Sequence, residues 1–257
     1  MSEEEDKSVD LLRFGKPGEK LELLRELEET AKDCRIAADK ALPACVTPAE
    51  LERNKPWREF RRRIGFKLFE VVLKIAQKNA RSELRDLAAD ILAHLWHPAA
   101  VDRLVEDITQ NEDKLVTTQV LGIFDNLAGI GTDTAVRGLI SIWEYGWHFP
   151  VVRALGACGT KRAEAFLLAQ AQQDEDAGIR GLCITYLNSE VSDRKVSLLR
   201  DKLKYSTDFE QSAAIKKIAA LQLTSLTKDL KAVYDESDDP LVKEEIRDAL
   251  RALAPLR

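Results

Sequence analysis

Three histidines and four cysteines are the residues of this 257-residue chain with the most specific chemistry. His94 and His97 stand three residues apart, a spacing that suits two ligands of one metal ion on a helix face. No third ligand is suggested near them, so we predict no metal site. The cysteines are Cys34, Cys45, Cys158 and Cys183. None belongs to a C-x-x-C pair, and we therefore interpret them as reduced core residues and predict no bound cofactor.

Aromatic side chains crowd the segment from residue 143 to residue 149. Between residues 139 and 158 the only charged residues are Glu144 and Arg153, which is unusual for a helix surface that faces water. Trp and Tyr anchor many protein interfaces because each ring buries a large area at low entropic cost. We predict a partner-binding surface formed by Trp143, Tyr145, Trp147 and His148. The alternative is that these rings fill the core between neighbouring helices.

A second candidate surface is basic. Between residues 53 and 67 the only acidic residue is Glu59. The same segment carries seven cations, namely Arg53, Lys55, Arg58, Arg61, Arg62, Arg63 and Lys67. We predict that Arg58, Arg62 and Arg63 bind an acidic protein partner or a phosphate-bearing ligand, in a salt-dependent way. The alternative is a solvated face whose charges pair with acidic residues of the predicted first helix, namely Glu22, Glu26, Glu28 and Glu29.

Composition limits the function classes. The chain has 39 Lys and Arg against 44 Asp and Glu, a net charge of −5, which excludes a strongly basic nucleic-acid binder. Its longest uncharged stretch, residues 91–101, is far shorter than the roughly 20 apolar residues of a membrane-spanning helix. The first six residues are acidic and lack the apolar run of a secretory signal, so we expect a cytoplasmic protein.

The elements that must position these residues are helices. Apolar residues recur at steps of three and four, and no segment alternates as a strand does, so we predict an all-α fold. The first predicted helix begins after Pro17 and ends before Pro43. A short helix follows from Thr47 to about Asn54. A longer helix with two apolar faces is predicted over residues 57–77.

Beyond residue 80 the sequence repeats itself. Leucines at the predicted end of one helix per repeat recur every 28 to 34 residues, at Leu95, Leu127, Leu155, Leu187, Leu221 and Leu253. The residue four positions before each leucine is apolar except Lys217, where neighbouring Ile218 is expected to substitute. Two of these repeats continue with Gly131-Thr132 and Gly159-Thr160. In both, we expect a left-handed glycine to end one helix and the threonine to cap the next.

Three segments resemble HEAT repeats: LRDLAADIL at residues 84–92, DAGIRGLC at 176–183 and DPLVKEEIRDAL at 239–250. The short-period form, similar to the HEAT-like repeats of phycobilisome lyases, fits residues 80–257. This resemblance implies an α-solenoid, a right-handed superhelix of about six helical hairpins over residues 80–257. Residues 1–79 lie outside the pattern, and we expect them to form an N-terminal helical cap that covers the apolar end of the array.

Enzymes on HEAT-like scaffolds need residues that can be sought here. The di-iron hydroxylases use His-Glu dipeptides, and none occurs in this chain. The DNA-alkylation-repeat glycosylases need a basic groove, whereas this chain is acidic overall, and no catalytic residue of a chromophore lyase can be carried over. We therefore predict no catalytic residues and a non-catalytic scaffold or adaptor for a protein partner. The alternatives are an enzyme of the glycosylase or lyase type, and nucleic-acid binding through the basic helix from Arg58 to Lys67.

Overall fold

The computed structural model of the protein describes residues 3–41, 55–77, 82–110, 115–204 and 206–254. Within these ranges it contains α-helices and two short 3-10 turns, at Pro98–Ala100 and Thr224–Leu226, but no strand. The prediction of an all-α fold is therefore confirmed. The short helix predicted from Thr47 to Asn54 lies outside the described residues, as do Cys45 and Arg53.

The chain divides into two compact units, Met1–Trp147 and His148–Arg257. The helices described in the first unit are α1 (Glu3–Phe14), α2 (Pro17–Ala41), α3 (Pro56–Ile64), α4 (Phe66–Ala76), α5 (Glu83–His94), α6 (Val101–Gln110), α7 (Thr117–Ile130) and α8 (Asp133–Trp143). Those described in the second unit are α9 (His148–Cys158), α10 (Lys161–Gln173), α11 (Ala177–Tyr186), α12 (Asp193–Lys204), α13 (Asp208–Ala220), α14 (Thr227–Glu236) and α15 (Pro240–Ala252). The expected boundary between a cap of residues 1–79 and an array of residues 80–257 stays a prediction.

The N-terminal region begins with a helix that the sequence analysis missed. The helix starting at Pro17 has the predicted bounds, but it is the second helix of the chain, because α1 precedes it. The first turn of α1 holds four acidic residues, which stabilise the positive end of the helix dipole. Its apolar anchor is short, since the buried hydrophobic residues of α1 are Val9 and Leu12. So small an apolar stripe is easily overlooked in a sequence.

The helix predicted over residues 57–77 is interrupted, and the prediction of one continuous helix is wrong. Gly65 adopts a φ of 91°, which is outside the helical region and separates α3 from α4. The carboxylate of Glu5, from α1, lies against this turn and accepts the backbone N–H of Lys67 over 2.9 Å. It thereby satisfies one of the unpaired N–H groups at the start of α4. A Cβ at position 65 would overlap the Glu5 carboxyl group.

The repeat register agrees with the helix ends. Leu95, Leu187, Leu221 and Leu253 each stand directly after the last residue of a helix. The other two register leucines, at 127 and 155, lie in the final turns of α7 and α9. All six except Leu221 are buried. The leucines therefore mark where helices end, as the sequence analysis predicted.

The two predicted glycine turns have the expected conformation. Gly131 and Gly159 adopt φ values of 59° and 61°, in the left-handed region. The side chain of Thr132 accepts the backbone N–H of Ala135, and that of Thr160 accepts the backbone N–H of Ala163. These contacts cap α8 and α10 at their first turns. The predicted turn and cap are confirmed in both repeats.

Lys217, the polar exception in the repeat register, has a structural role within the second unit. Its Nζ donates to the backbone carbonyl of Leu187 over 2.7 Å, at the C-terminal end of α11. A cation at this end is favoured by the helix dipole and satisfies a carbonyl that has no partner inside the helix. Ile218, which was expected to take the apolar position, is fully buried. Both residues therefore support the packing of this repeat.

Packing within each unit follows the order of the helices. In the second unit α9 packs against α11, α11 against α13 and α13 against α15, while α12 packs against α14. Contacts also join α9 to α10, α12 to α13 and α14 to α15. In the first unit α2 and α4 both pack against α5, and α6 packs against α7 and α8. Neighbouring helices in the chain are thus neighbours in space.

Candidate functional site

The predicted aromatic surface is divided by the structure into buried and exposed rings. Trp143, the last residue of α8, is only 8% exposed and lies in the core of the first unit. Tyr145 follows in the turn after α8 and is 57% exposed. Gly146 adopts a φ of 86°, and open space surrounds the position where a side chain would begin. Tyr145 is therefore the most exposed residue of the predicted aromatic set.

Trp147 and His148 are both partly exposed. The Trp147 ring packs against Phe124 with 6.0 Å between ring centroids, and its buried Nε1 has no hydrogen-bond partner in the described part of the chain. Trp147 is the last residue of the first unit, whereas His148 begins α9 in the second. The Trp147 ring thus packs on Phe124 of the first unit, and its assignment to a binding surface stays a prediction.

The basic residues of α3 and the start of α4 are exposed, because the apolar residues of α3 occupy the opposite side. Phe60 is fully buried in α3, and Trp57 is partly buried three residues earlier. The exposed side carries Arg58, Arg61, Arg62, Arg63, Phe66 and Lys67, which we call the α3–α4 surface. This set includes all three of the predicted basic site residues, Arg58, Arg62 and Arg63.

The ion pairs described on this surface involve Glu59 and Asp6, not the predicted residues of α2. Arg62 donates to Glu59 from Nε and Nη2, each over 2.8 Å, and Arg63 donates to the same carboxylate over 2.9 Å. These guanidinium hydrogen bonds lower the pKa of Glu59 to about 2. Lys67 pairs with Asp6 of α1 over 2.8 Å. The expected partners were acidic residues of α2, and two of these, Glu28 and Glu29, pair with Lys32 instead.

The aromatic member of the α3–α4 surface is Phe66, whose ring is 55% exposed. The guanidinium carbon of Arg61 lies 4.6 Å from the centroid of this ring, a cation–π contact. Arg61 has no ion pair with any residue that the structure describes. Arg58 lies over Trp57 in a longer contact of 5.5 Å. An exposed ring with an adjoining guanidinium group is thus held at the turn between the two helices.

An acidic groove between α2 and α5 was not predicted. It has a volume of about 660 Å³ and is lined by Arg25, Glu28, Glu29, Glu83, Asp86, Leu87 and Asp90. Desolvation by the surrounding helices is the main reason that the pKa of Asp90 is raised to about 6. The positive charge of Arg103 opposes this rise, whereas repulsion from Asp107, Glu28 and Asp86 adds to it. The available sequence signal was the acidic positions, two on α2 and three on α5, but nothing in the sequence places α2 beside α5.

This groove has limited capacity for catalysis. A general acid with a raised pKa is a common feature of active sites, and Asp90 meets that condition. Its side chain is nevertheless exposed, and the groove is open to solvent. The enzyme alternative requires a deep pocket that excludes water from a perturbed carboxylate. Asp90 therefore supplies only one part of what an acid–base site needs.

His94 and His97, the two histidines at metal-ligand spacing, contact different groups. His94 Nε2 lies 3.6 Å from a carboxylate oxygen of Glu28. His97 accepts the backbone N–H of Ala99 over 3.2 Å, and its ring packs edge-on against Trp57 and Phe69. Burial lowers the pKa of both imidazoles. No group of three His, Cys, Asp or Glu side chains suited to a metal ion occurs in the described ranges.

The cysteines that the structure describes lie in the core. Cys34, Cys158 and Cys183 are buried free thiols, and burial raises the pKa of Cys183 to about 12. A thiol with so high a pKa is a poor nucleophile. The interpretation of these three cysteines as core residues is confirmed. None of the helices in the described chain combines the length and apolar character needed to span a membrane.

Comparisons with known proteins identify no family. No protein-family model matches the chain, and no curated protein is significantly similar to it. Among solved structures, the chain is similar to the crystal structure of an engineered protein, with 20% sequence identity and a TM-score of 0.31 over 98% of this chain and 97% of the other. At this TM-score the likeness says nothing about how this chain functions.

Proposed function

We propose that this protein is an α-solenoid of HEAT-like hairpins that acts as a non-catalytic scaffold for a partner protein. The observation that carries the proposal is the packing of the second unit. Helices α9, α11, α13 and α15 contact one another in succession, and α12 contacts α14. Such neighbour-to-neighbour packing is typical of repeat arrays, whose extended surfaces bind proteins. The expected right-handed superhelix and HEAT assignment are part of this proposal.

The ends of the array have the properties that a solenoid needs. Four exposed positions of α15 are polar, at Glu244, Arg247, Asp248 and Arg251, alongside the exposed Leu241. A polar outer face allows a terminal repeat to face water. At the other end, α2 and α4 cover α5, the first helix of the repeat register. This contact supports the assignment of residues 1–79 as a cap, with the array occupying residues 80–257.

Two surfaces of the first unit are proposed to contact the partner. One is the turn at Tyr145 with the neighbouring Trp147, and the other is the α3–α4 surface. Tyr145 offers a large ring with a polar hydroxyl group, which is the combination that anchors interfaces. Trp143 is left out because its ring is buried in the core. No catalytic residue is part of the proposal.

Site-specific photo-crosslinking tests this function. A benzoylphenylalanine residue replaces Tyr145 in one variant, Phe66 in a second and Lys228 in a third. Lys228 is the matched control, because it is an exposed helix residue outside both proposed surfaces. The variants are irradiated in a nuclease-treated extract of the cells that make the protein. Adducts are separated by size and identified by mass spectrometry.

A discrete protein adduct at position 145 or 66 that is missing at position 228 is the expected result. Equal labelling at all three positions would indicate non-specific encounters and contradict the proposal. Absence of any protein adduct, together with nucleic acid that co-purifies with the untreated protein, would favour the nucleic-acid alternative. Absence of both would favour a small-molecule ligand and therefore the enzyme alternative.

A further inference from the structure

We infer that the α3–α4 surface binds an acidic segment of a partner protein, a short run of Asp and Glu side chains with an apolar residue that contacts Phe66. This inference rests on the proposed scaffold function and adds the chemistry of the partner. Three observations support it. The surface is exposed and positively charged, its cations already pair with carboxylates, and it includes the exposed ring of Phe66.

The first step is charge. From residue 58 to residue 67 the chain carries five cations and one carboxylate. Arg58, Arg61, Arg62, Arg63 and Lys67 are all exposed. Arg62 and Arg63 share Glu59, and Lys67 pairs with Asp6 of α1. Five cations thus face two paired carboxylates, which leaves this surface with a positive excess. Such an excess attracts an anionic partner over about one Debye length of roughly 8–10 Å at physiological salt.

The second step is the identity of the anions already present. Glu59 receives two parallel hydrogen bonds from Arg62, the planar fork that a guanidinium group makes with a carboxylate. Asp6, from α1, lies on Lys67. The carboxylates described on this surface thus come both from α3 itself and from another helix of the same unit. These pairs show that the cations of this surface bind carboxylates, which are the groups that an acidic protein segment would supply.

The third step is the exposed ring. Phe66 is more than half exposed, and Arg61 lies against its face without an ion pair in the described residues. A guanidinium group over a ring contacts it through its face and can still donate its N–H groups to a carboxylate. The free edge of the ring offers an apolar contact at low entropic cost. A carboxylate next to an apolar side chain therefore suits this pair.

A protein segment fits better than a nucleic acid. The α3 helix has nine residues, so it spans about 14 Å. Four acidic residues stand in the first turn of α1, and one of them, Asp6, borders the surface at Lys67. A long polyanion that extended past this edge would meet these carboxylates and the net charge of −5 of the chain. A short acidic segment can be accommodated between such borders.

The test uses the full-length protein and a defined probe. The probe is a fluorescein-labelled synthetic peptide of about twelve residues, rich in Glu with one central Leu, and its control replaces every Glu with Gln. Binding is followed by fluorescence anisotropy at low salt and at about 0.15 M salt. The variant Arg58→Glu with Arg61→Glu is compared with Lys228→Glu with Lys231→Glu, which makes the same charge change at exposed positions of α14. Circular dichroism confirms that each variant is folded.

We expect the acidic peptide to bind and the Gln peptide not to bind. The α3–α4 variant should weaken binding at least about tenfold, whereas the α14 variant should stay within about twofold. Arg61→Lys keeps the charge but loses the planar guanidinium group over Phe66, so it should weaken binding by a few fold. Binding of the acidic peptide should weaken as salt is raised.

Three outcomes would overturn the inference. The first is no binding of the acidic peptide by the folded wild-type protein, and the second is equal loss of binding in both charge-reversed variants. The third is tighter binding of a single-stranded oligonucleotide of the same net charge. None of these outcomes affects a protein adduct at Tyr145, so the proposed scaffold function can survive the failure of this inference. Loss of adducts at Tyr145 with peptide binding intact would instead contradict only the Tyr145 surface.

Discussion

The turns at Gly131 and Gly159 differ from the turn at Gly65 in where the next helix obtains its cap. Gly131 and Gly159 adopt φ values near 60°, and the threonine that follows each of them caps the next helix. Gly65 adopts a φ of 91°, and the group that caps α4 is Glu5, which is 62 residues away from Lys67 in the chain. The first kind of turn is local, and the second depends on tertiary contact.

This difference has a physical consequence for stability. A local cap forms with its own helix and needs nothing else in the molecule. The cap of α4 exists only while α1 is docked, so α1, the α3–α4 turn and α4 should form and unfold together. The α3–α4 surface, which contains this turn, therefore depends on α1 for its geometry.

The largest expected effect comes from Gly65→Ala. A Cβ there would be strained at a φ of 91° and would overlap the Glu5 carboxyl group. We expect a loss of about 2–4 kcal/mol in the free energy of unfolding, measured by urea denaturation. Gly131→Ala would be strained by the left-handed backbone at a φ of 59° and should cost about 1–2 kcal/mol. Gly122 is an interior position of α7 with free space around the place of a Cβ. Gly122→Ala should therefore be neutral or stabilising by less than about 1 kcal/mol. Equal losses at positions 65 and 131 would refute the distinction.

The next effect tests the long-range cap. Glu5→Ala should lower the free energy of unfolding by about 1–2 kcal/mol, because it removes the acceptor of the Lys67 N–H group. In the double variant Glu5→Ala with Gly65→Ala, the carboxyl group that would overlap the new Cβ at position 65 is absent, so part of the strain is relieved. The combined loss should be smaller than the total of the single losses by about 1 kcal/mol or more. Strict additivity, measured by the same denaturation series, would show that Glu5 does not act at this turn.

The local caps should behave more uniformly. Thr132→Ala and Thr160→Ala each remove a side-chain acceptor from one backbone N–H group. Each should cost about 1 kcal/mol, whereas the serine variants should retain most of the stability. Hydrogen exchange of the first turns of α8 and α10 would locate the effect. A loss that spread to α1 would be inconsistent with a local cap.

The smallest expected effect concerns another product of tertiary contact, the groove between α2 and α5. The folded state raises the pKa of Asp90 from its ordinary value of 3.8 to about 6, so it binds that proton more tightly than the unfolded chain does. The contribution of Asp90 to stability therefore increases as pH falls from 6 to about 4. Asp90→Asn should stabilise the protein at pH 8 by less than about 1 kcal/mol, since the side chain is exposed, and should have no effect below about pH 4. Paired denaturation curves at the two pH values measure this. A constant difference between wild type and variant would contradict the raised pKa.

The exposure of the candidate site residues could be predicted from the sequence where the information was local. The basic side of α3 follows from the spacing of its apolar residues, because helix geometry sends the arginines between them to the opposite side. The aromatic segment was harder to interpret. Trp143 and Tyr145 are two residues apart and similar in chemistry, yet one is buried and the other is exposed. Their burial depends on what packs against the end of α8.

The sequence by itself determined the helical class, the leucine register and the glycine–threonine turns, because each follows from interactions between residues a few positions apart. Only the tertiary structure decided the break at Gly65, the pairing of Lys67 with Asp6 and the acidic groove between α2 and α5. These features join residues more than fifty positions apart. Their positions depend on which helices pack together. Apolar periodicity indicates that one face of a helix is buried, but it does not identify the helix that packs against that face.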